Sequence, residues 1–196
     1  MKKSLLLLSL LALSISATAQ TKFGVKGGIN VSNFTGDLPN SRSKIGFYAG
    51  GYATIKIDDK FAFQPELLYS AQGAKLKSVS ANIPQYGNVL ADLQFNLNYI
   101  NIPLMFKYYT SEGLSIEAGP QIGLLVSAKA DVIDRKININ DAFKSADFGL
   151  NVGLGYELPN GVNFGARYSF GLTDINENYG KVSNSVFYLG LGYSFK

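Results

Sequence analysis

Phe61-Ala62-Phe63-Gln64-Pro65-Glu66-Leu67-Leu68-Tyr69-Ser70-Ala71-Gln72-Gly73 sets an acid in the middle of an apolar run. Read with period two, Phe61, Phe63, Pro65, Leu67 and Tyr69 share one face, and Ala62, Gln64, Glu66, Leu68 and Ser70 share the other. This is a strand with one apolar side. A carboxylate in so apolar a strand needs a partner or water, so the face carrying Glu66 looks either out to solvent or into an enclosed polar space.

The same alternation runs through the chain. Before the opening stretch it occupies Phe23 to Val31 and Ile45 to Ile57; after it come Leu93 to Tyr108, Leu114 to Val126, Phe148 to Tyr156, Val162 to Phe170 and Phe187 to Phe195. The third and fourth of these eight strands are joined by a long, mostly polar connection, Leu76 to Asp92. Asn33 to Ser43, Ala130 to Lys144 and Thr173 to Asn184 are likewise long, and the charged 130–144 segment has room for a short helical turn. Between them stand tight turns: Asp58-Asp59-Lys60, Thr110 to Gly113 and the hairpin signal Pro159-Asn160-Gly161. Long and short connections alternate without exception, the order of an antiparallel up-and-down meander with its short turns at one end. The strands are long enough to cross a bilayer, which takes about 9–11 tilted residues.

One strand changes phase. Leu93, Phe95 and Leu97 are apolar on odd numbers, whereas Ile100, Ile102, Leu104, Phe106 and Tyr108 are apolar on even ones. A bulge near Asn98 and Tyr99 explains this; a strand that continues beyond the membrane with different burial is the alternative.

Composition narrows the function classes. The 196 residues suit one domain. With no Cys, disulfides and thiol chemistry are absent; with no His, the commonest general base and metal ligand is missing. Charged residues make up 16% of the chain, against roughly 25% in soluble domains. Residues 1–19 read as a secretory signal: Lys2 and Lys3, an apolar core from Leu5 to Ile15 too short to span as a helix, and Ala17-Thr18-Ala19. Residues 20–196 are then the exported domain. Of 18 basic residues, losing Lys2 and Lys3 leaves 16 against 14 acids, a net charge of +2, which gives no case for nucleic acid.

An eight-stranded meander can be a soluble barrel with an apolar interior that binds an apolar ligand, or a membrane barrel with an apolar exterior. The polar face separates them. It is rich in glycine (Gly24, Gly28, Gly46, Gly50, Gly119, Gly123, Gly149, Gly153, Gly165, Gly190, Gly192) and poor in charge, which suits a narrow interior rather than a surface facing water. Phe61, Tyr69, Tyr108, Phe148, Tyr156, Phe187, Tyr193 and Phe195 lie on the apolar face, as in the aromatic girdles of membrane barrels. The fold class expected is an all-β, eight-stranded antiparallel transmembrane β-barrel following a cleaved signal peptide.

FQPELLYSAQG, YINIPLMFKYY, IEAGPQIGLLVSAK, DFGLNVGLGYE, GARYSFGLTDI and YLGLGYSF, in this order between Phe23 and Phe195, resemble the porin-like outer membrane β-barrel family. The resemblance implies a small integral outer membrane protein of a diderm bacterium, inserted by the barrel-assembly machinery. Two positions depart from the pattern: Asn101 stands where an acid is frequent in the YIxIP motif, and Lys196 follows the terminal aromatic Phe195.

On the polar face Lys26, Lys56, Glu66, Lys107, Glu117, Asp147, Glu157 and Arg167 project inward. The candidate lumen charge network is Glu66, Glu117, Arg167, Lys107, Lys56 and Glu157, with Arg167 able to bridge Glu66 and Glu117 bidentately. It reads as a structural plug or, alternatively, as a selectivity or gating site. No catalytic, cofactor or metal residues are assigned: Gly153-Leu154-Gly155 and Gly190-Leu191-Gly192 lie within strands and lack the rest of a dinucleotide fingerprint, and Asp58-Asp59 read as a solvated turn. The expected function is an envelope-structural or weakly permeable monomer embedded in outer membrane lipid. Surface recognition or a secretion-accessory role through the loops 33–43, 76–92, 130–144 and 173–184, with Tyr86 and Tyr179, is the alternative.

Overall fold

The computed structural model describes residues 21–36, 41–83, 87–132, 135–176 and 180–195. The signal-like segment 1–19, Tyr86, Tyr179 and Lys196 lie outside them. The strands are β1 (Thr21–Gly36), β2 (Ser41–Lys56), β3 (Phe61–Ile83), β4 (Gly87–Tyr109), β5 (Leu114–Val132), β6 (Arg135–Asn138), β7 (Ala146–Glu157), β8 (Val162–Gly171) and β9 (Val182–Ser194). Eight of them close an antiparallel ring, β1–β2–β3–β4–β5–β7–β8–β9, with β9 pairing back onto β1. β6 lies outside the ring and pairs only with the end of β5, from Lys129↔Asn138 to Val132↔Arg135. A 3-10 turn, Asn140–Ala142, follows it.

Closure leaves no open edge in the eight-stranded ring, the condition for a sheet to sit in lipid. The alternation then assigns the two surfaces. Phe61, Leu67, Tyr69, Phe106, Ile116, Leu124, Leu154, Phe170 and Leu189 are exposed on the outside. Gln64, Glu66, Asn101, Glu117, Asn151 and Arg167 are buried inside. This arrangement is that of a membrane barrel and rules out the soluble barrel with an apolar interior.

Two of the expected loops are largely sheet, and a third is so at its end. β3 and β4 stay paired through Ile83↔Gly87, so the polar connection 76–92 is the top of a hairpin. β1 runs to Gly36 and β2 begins at Ser41, replacing most of 33–43, and β9 begins at Val182 inside 173–184. Above the bilayer the outer face of a strand no longer has to be apolar, so its period-two signal fades although its pairing continues.

The phase change in β4 is that of a strand continuing with different burial, the alternative expected, and the irregularity expected near Asn98 and Tyr99 is present in its pairing with β5. Leu97, Tyr99, Asn101, Pro103, Met105 and Lys107 are all buried, so odd-numbered residues point inward along the whole stretch. The chemistry of the interior changes, from polar to apolar. The bulge is on the neighbour: Asn98 pairs with Ser127 but Tyr99 pairs with Leu125, which leaves Val126 extra. β5 accordingly buries Ser115, Glu117, Gly119, Gln121 and Gly123 before Val126, and Ala128 and Ala130 after it.

Pro65 has two counterparts. The β2–β3 ladder lacks pairs between Tyr52↔Glu66 and Ile55↔Phe63, beside Pro65. The β3–β4 ladder lacks them between Pro65↔Leu104 and Leu68↔Asn101, beside Pro103. The β4–β5 ladder lacks them between Pro103↔Gln121 and Phe106↔Ala118, beside Pro120. Each proline turns its missing donor toward the preceding strand, so three adjacent ladders are interrupted on one side of the wall. The β7–β8 and β8–β9 ladders run unbroken. Hydrogen exchange in micelles will therefore show faster amides at 53–54, 66–67 and 104–105 than at 150–156 and 163–169. Equal protection on the two sides would show that the interruptions carry no local weakness.

Candidate functional site

The interior is layered from the short-turn end upward. At the lower rim Lys22 Nζ meets Glu157 Oε1 at 3.4 Å, and Tyr52 Oη accepts from Asn163 Nδ2 at 2.7 Å and lies 2.9 Å from Ser194 Oγ. Lys56 is exposed at this end, among residues 56–61 that are all exposed, and is not part of the ionic layer above it. Its expected place in the lumen network is corrected: it stands at the end of β2, below the enclosed part of the barrel.

Five charges from five strands form the next layer. Arg167 Nη1 donates to Glu66 Oε2 and Nη2 to Glu66 Oε1, both at 2.8 Å, and Nη2 also reaches Glu117 Oε2 at 3.1 Å. Lys26 Nζ donates to Glu66 Oε1 at 2.7 Å, and Lys107 Nζ lies 3.0 Å from Glu117 Oε1. Gln64 ties the two halves together, donating to Glu66 Oε1 at 2.7 Å and accepting from Lys107 at 3.3 Å and from Thr54 at 2.8 Å. Glu66 is 3% exposed and Arg167 8%, so these are desolvated pairs in which each carboxylate is multiply bonded.

Register produces this geometry. Lys107, Glu117, Gly153 and Arg167 occupy one lateral row across β4, β5, β7 and β8. Gly153 supplies no side chain, so Arg167 reaches past it to Glu117. Gly155, Gly165, Gly190 and Gly28 form a second row across β7, β8, β9 and β1. That half of the wall is bare backbone, and the Tyr48 ring packs where a Cβ on Gly190 would stand. The remaining space beside the network is about 40 Å³, over Gly155, Gly165 and Gly190, room for one or a few waters.

Above the charges lies a neutral polar layer. Asn30 donates to Ser70 at 3.1 Å, Gln72 and Asn101 donate to Tyr188 Oη at 2.9 and 3.3 Å, and Asn151 donates to Gln121 at 3.3 Å. Asn101 therefore fits as an amide, because its neighbours here are neutral. Asp147 accepts from Thr173 at 2.9 Å and from Asn184 at 2.8 Å, apart from the ionic layer.

The top of the lumen is apolar. Phe34, Ala74, Leu97, Tyr99, Ala128, Ile175 and Val182 form a buried cluster, with Phe95, Leu125, Ile139 and Phe143 packed against it. Ile175 comes from the β8–β9 connection, whose turn is held by Asp174 Oδ1 accepting from the N–H of Asn176 at 3.1 Å and of Val182 at 3.0 Å. Those backbone donors hold the Asp174 carboxyl below its ordinary range. This cluster was not anticipated; its trace in the sequence is the odd-numbered apolar run Leu93, Phe95, Leu97, which continues the inward face of β4.

The expected grouping of Glu66, Glu117, Arg167 and Lys107 is formed, with Lys26 added. Glu157 pairs instead with Lys22 at the rim. Among the described residues no group of three acidic, histidine or cysteine side chains is placed to hold a metal.

The two halves of the ion layer respond differently to mutation. Arg167→Ala leaves Glu66 with Lys26 and Glu117 with Lys107, whereas Glu66→Ala leaves Lys26, Arg167 and Lys107 sharing Glu117. Urea unfolding in detergent is expected to show Glu66→Ala costing about 3–5 kcal/mol, the range for a broken buried pair, with Arg167→Ala costing clearly less. The reverse order would overturn this assignment. At the top, a carboxyl whose folded pKa is depressed contributes stability above its unfolded pKa and loses it as pH falls. Exchange of the Val182 amide is therefore expected to accelerate as pH drops below about 4, after correction for intrinsic rates, and Asp174→Ala should abolish that dependence.

Comparison with known proteins gives the same architecture. Neisserial surface protein A aligns over 88% of this chain and 97% of its own, with a TM-score of 0.58 and 18% identity. The attachment invasion locus protein Ail of Yersinia pestis, in complex with the heparin analogue sucrose octasulfate, aligns over 89% and 99%, with a TM-score of 0.51 and 16% identity. At these identities the likeness concerns the fold. No curated protein sequence matches the chain. Residues 18–177 match the family described as outer membrane protein beta-barrel domain, and the chain belongs to that family: it is an integral β-barrel protein of the outer membrane of a Gram-negative bacterium.

Proposed function

We propose that this protein is a closed, monomeric, non-enzymatic barrel with a structural role in the envelope, inserted by the barrel-assembly machinery. One observation carries the reading: the lumen is filled by two independent seals, the Lys26–Glu66–Arg167–Glu117–Lys107 layer and the Phe34–Leu97–Tyr99–Ile175–Val182 cluster above it. Eight strands leave an interior that side chains can fill, and here charge and apolar bulk fill different levels of it. A solute or ion would have to displace both. The lumen acids are engaged by cations and amides, and no histidine is present to take up a proton, so the arrangement serves cohesion rather than acid–base chemistry.

Planar-bilayer recording tests this. The parent barrel is expected to give no discrete conductance steps, and neither is Arg167→Ala, because the apolar cluster still closes the top. Combining Arg167→Ala with Tyr99→Ala and Ile175→Ala should open regular steps. Steady steps from the parent, or from Arg167→Ala alone, would overturn the double-seal reading.

A further inference from the structure

The outside of the barrel above the apolar belt is not uniform. On β2 the belt ends at Ile45, which is 73% exposed, and on β5 at Val126, which is 57% exposed. Arg42 and Lys129 follow three residues beyond each, about 10 Å along the strand. Through Arg42 a lateral row, which climbs with the tilt of the strands, crosses five of them: Arg42↔Lys75, Lys75↔Gln94, Gln94↔Asp131 and Asp131↔Lys136. Lys77 and Lys129 flank the row, and all five basic residues are exposed.

Two features make this row unusual. Arg42 and Lys75 are directly opposite each other, and like charges across a strand pair repel. The acids nearby do not offset the excess. Asp131 already accepts from Asn96 at 3.1 Å, and among the described residues it and Asp92 make two acids against five bases on this face. None of the ion pairs formed among the described residues involves Arg42, Lys75, Lys77, Lys129 or Lys136. On β1 and β9, next to β2, the corresponding positions are Asn33, Thr35, Ser183 and Ser185. The exposed cations of this row lie on the β2–β6 side, and Lys144 and Lys181, elsewhere at this end, lie beside Asp174.

A fixed row of exposed cations just above a lipid-facing belt is positioned for anions at the membrane surface. Phosphate suits it chemically: Arg binds it with a fork of donors and Lys as a point charge, and basic groups beside a membrane gain from anionic headgroups. We propose that the Arg42–Lys75–Lys136 face, with Lys77 and Lys129, is a binding site for the phosphate groups of an outer-leaflet glycolipid. Such a lipid would have its acyl chains against Ile45, Phe47 and Tyr69 and its headgroup between β2 and β6. The bound phosphate would relieve the Arg42–Lys75 repulsion, and the lipid would seat the barrel in one rotational orientation toward its annulus.

The test uses the mature chain refolded in neutral detergent micelles, doped with phosphorylated lipid A or with the same lipid after its phosphates are removed. Bound lipid is counted by native mass spectrometry and stability by thermal melting. The phosphorylated lipid is expected to bind on the order of tenfold more tightly than the dephosphorylated one, with an affinity that falls as salt rises. The double substitution Arg42→Gln with Lys75→Gln should erase most of that preference. Lys56→Gln, on the exposed lower rim, should leave it unchanged. Heat-modifiable migration reports that each variant is folded. In neutral micelles without lipid the double variant should melt no earlier than the parent, since a repulsion has been removed. Equal binding of the two lipids, or full binding by the double variant, would overturn the proposal. So would inorganic phosphate giving the whole melting shift without lipid, or a soluble sulfated glycan binding where the lipid does not.

Discussion

A carboxylate at the middle of a lipid-embedded cylinder has no bulk water to neutralise it, and Glu66 is neutralised by Arg167 and Lys26 at hydrogen-bond distance. Much of the interior follows from that requirement. The guanidinium must cross from β8 to β3, so the positions between must be small, and Gly153 and the glycine row from Gly155 to Gly28 are there. Arg167 has donors left after Glu66 and takes Glu117, which in turn takes Lys107 from the adjoining strand. Three cations and two acids are thus held in one layer because a single acid fixed the geometry.

The barrel is closed by two kinds of physics at two heights. The lower seal is electrostatic and depends on exclusion of water; the upper is apolar and depends on loop residues folding back over the strands. The neutral amide and hydroxyl layer between them separates the two, which is why Asn101 rather than an acid suits its position. An additional carboxylate there would be buried against Tyr188 with no cation among its named partners. The wall carries an asymmetry of its own. The proline-interrupted ladders lie among β2–β5, and the basic row spans β2–β6, so one side of the barrel combines a less regular wall with a charged shoulder, while β7–β9 are continuous and nearly uncharged on the outside.

Period-two alternation determined, from the sequence alone, the strand faces, the eight-stranded ring and the inward placement of Glu66, Glu117, Lys107 and Arg167, because a strand in a membrane must separate its two surfaces residue by residue. Composition determined the absence of histidine and thiol chemistry. What the tertiary structure decided lies where that constraint lapses. Beyond the bilayer the outer face of a strand no longer has to be apolar, so the extension of β3 and β4 and the existence of β6 left no alternation to read. The bulge at Val126 sits on β5, although the irregular pattern shows in β4, because register is a property of two strands together. Lys56 and Glu157 shared a face with the network but not its height, and height comes from where each strand ends. The apolar seal joins residues far apart in the chain that only the closed sheet brings within reach, and the Arg42–Lys75 pair depends on the shifted register between β2 and β3.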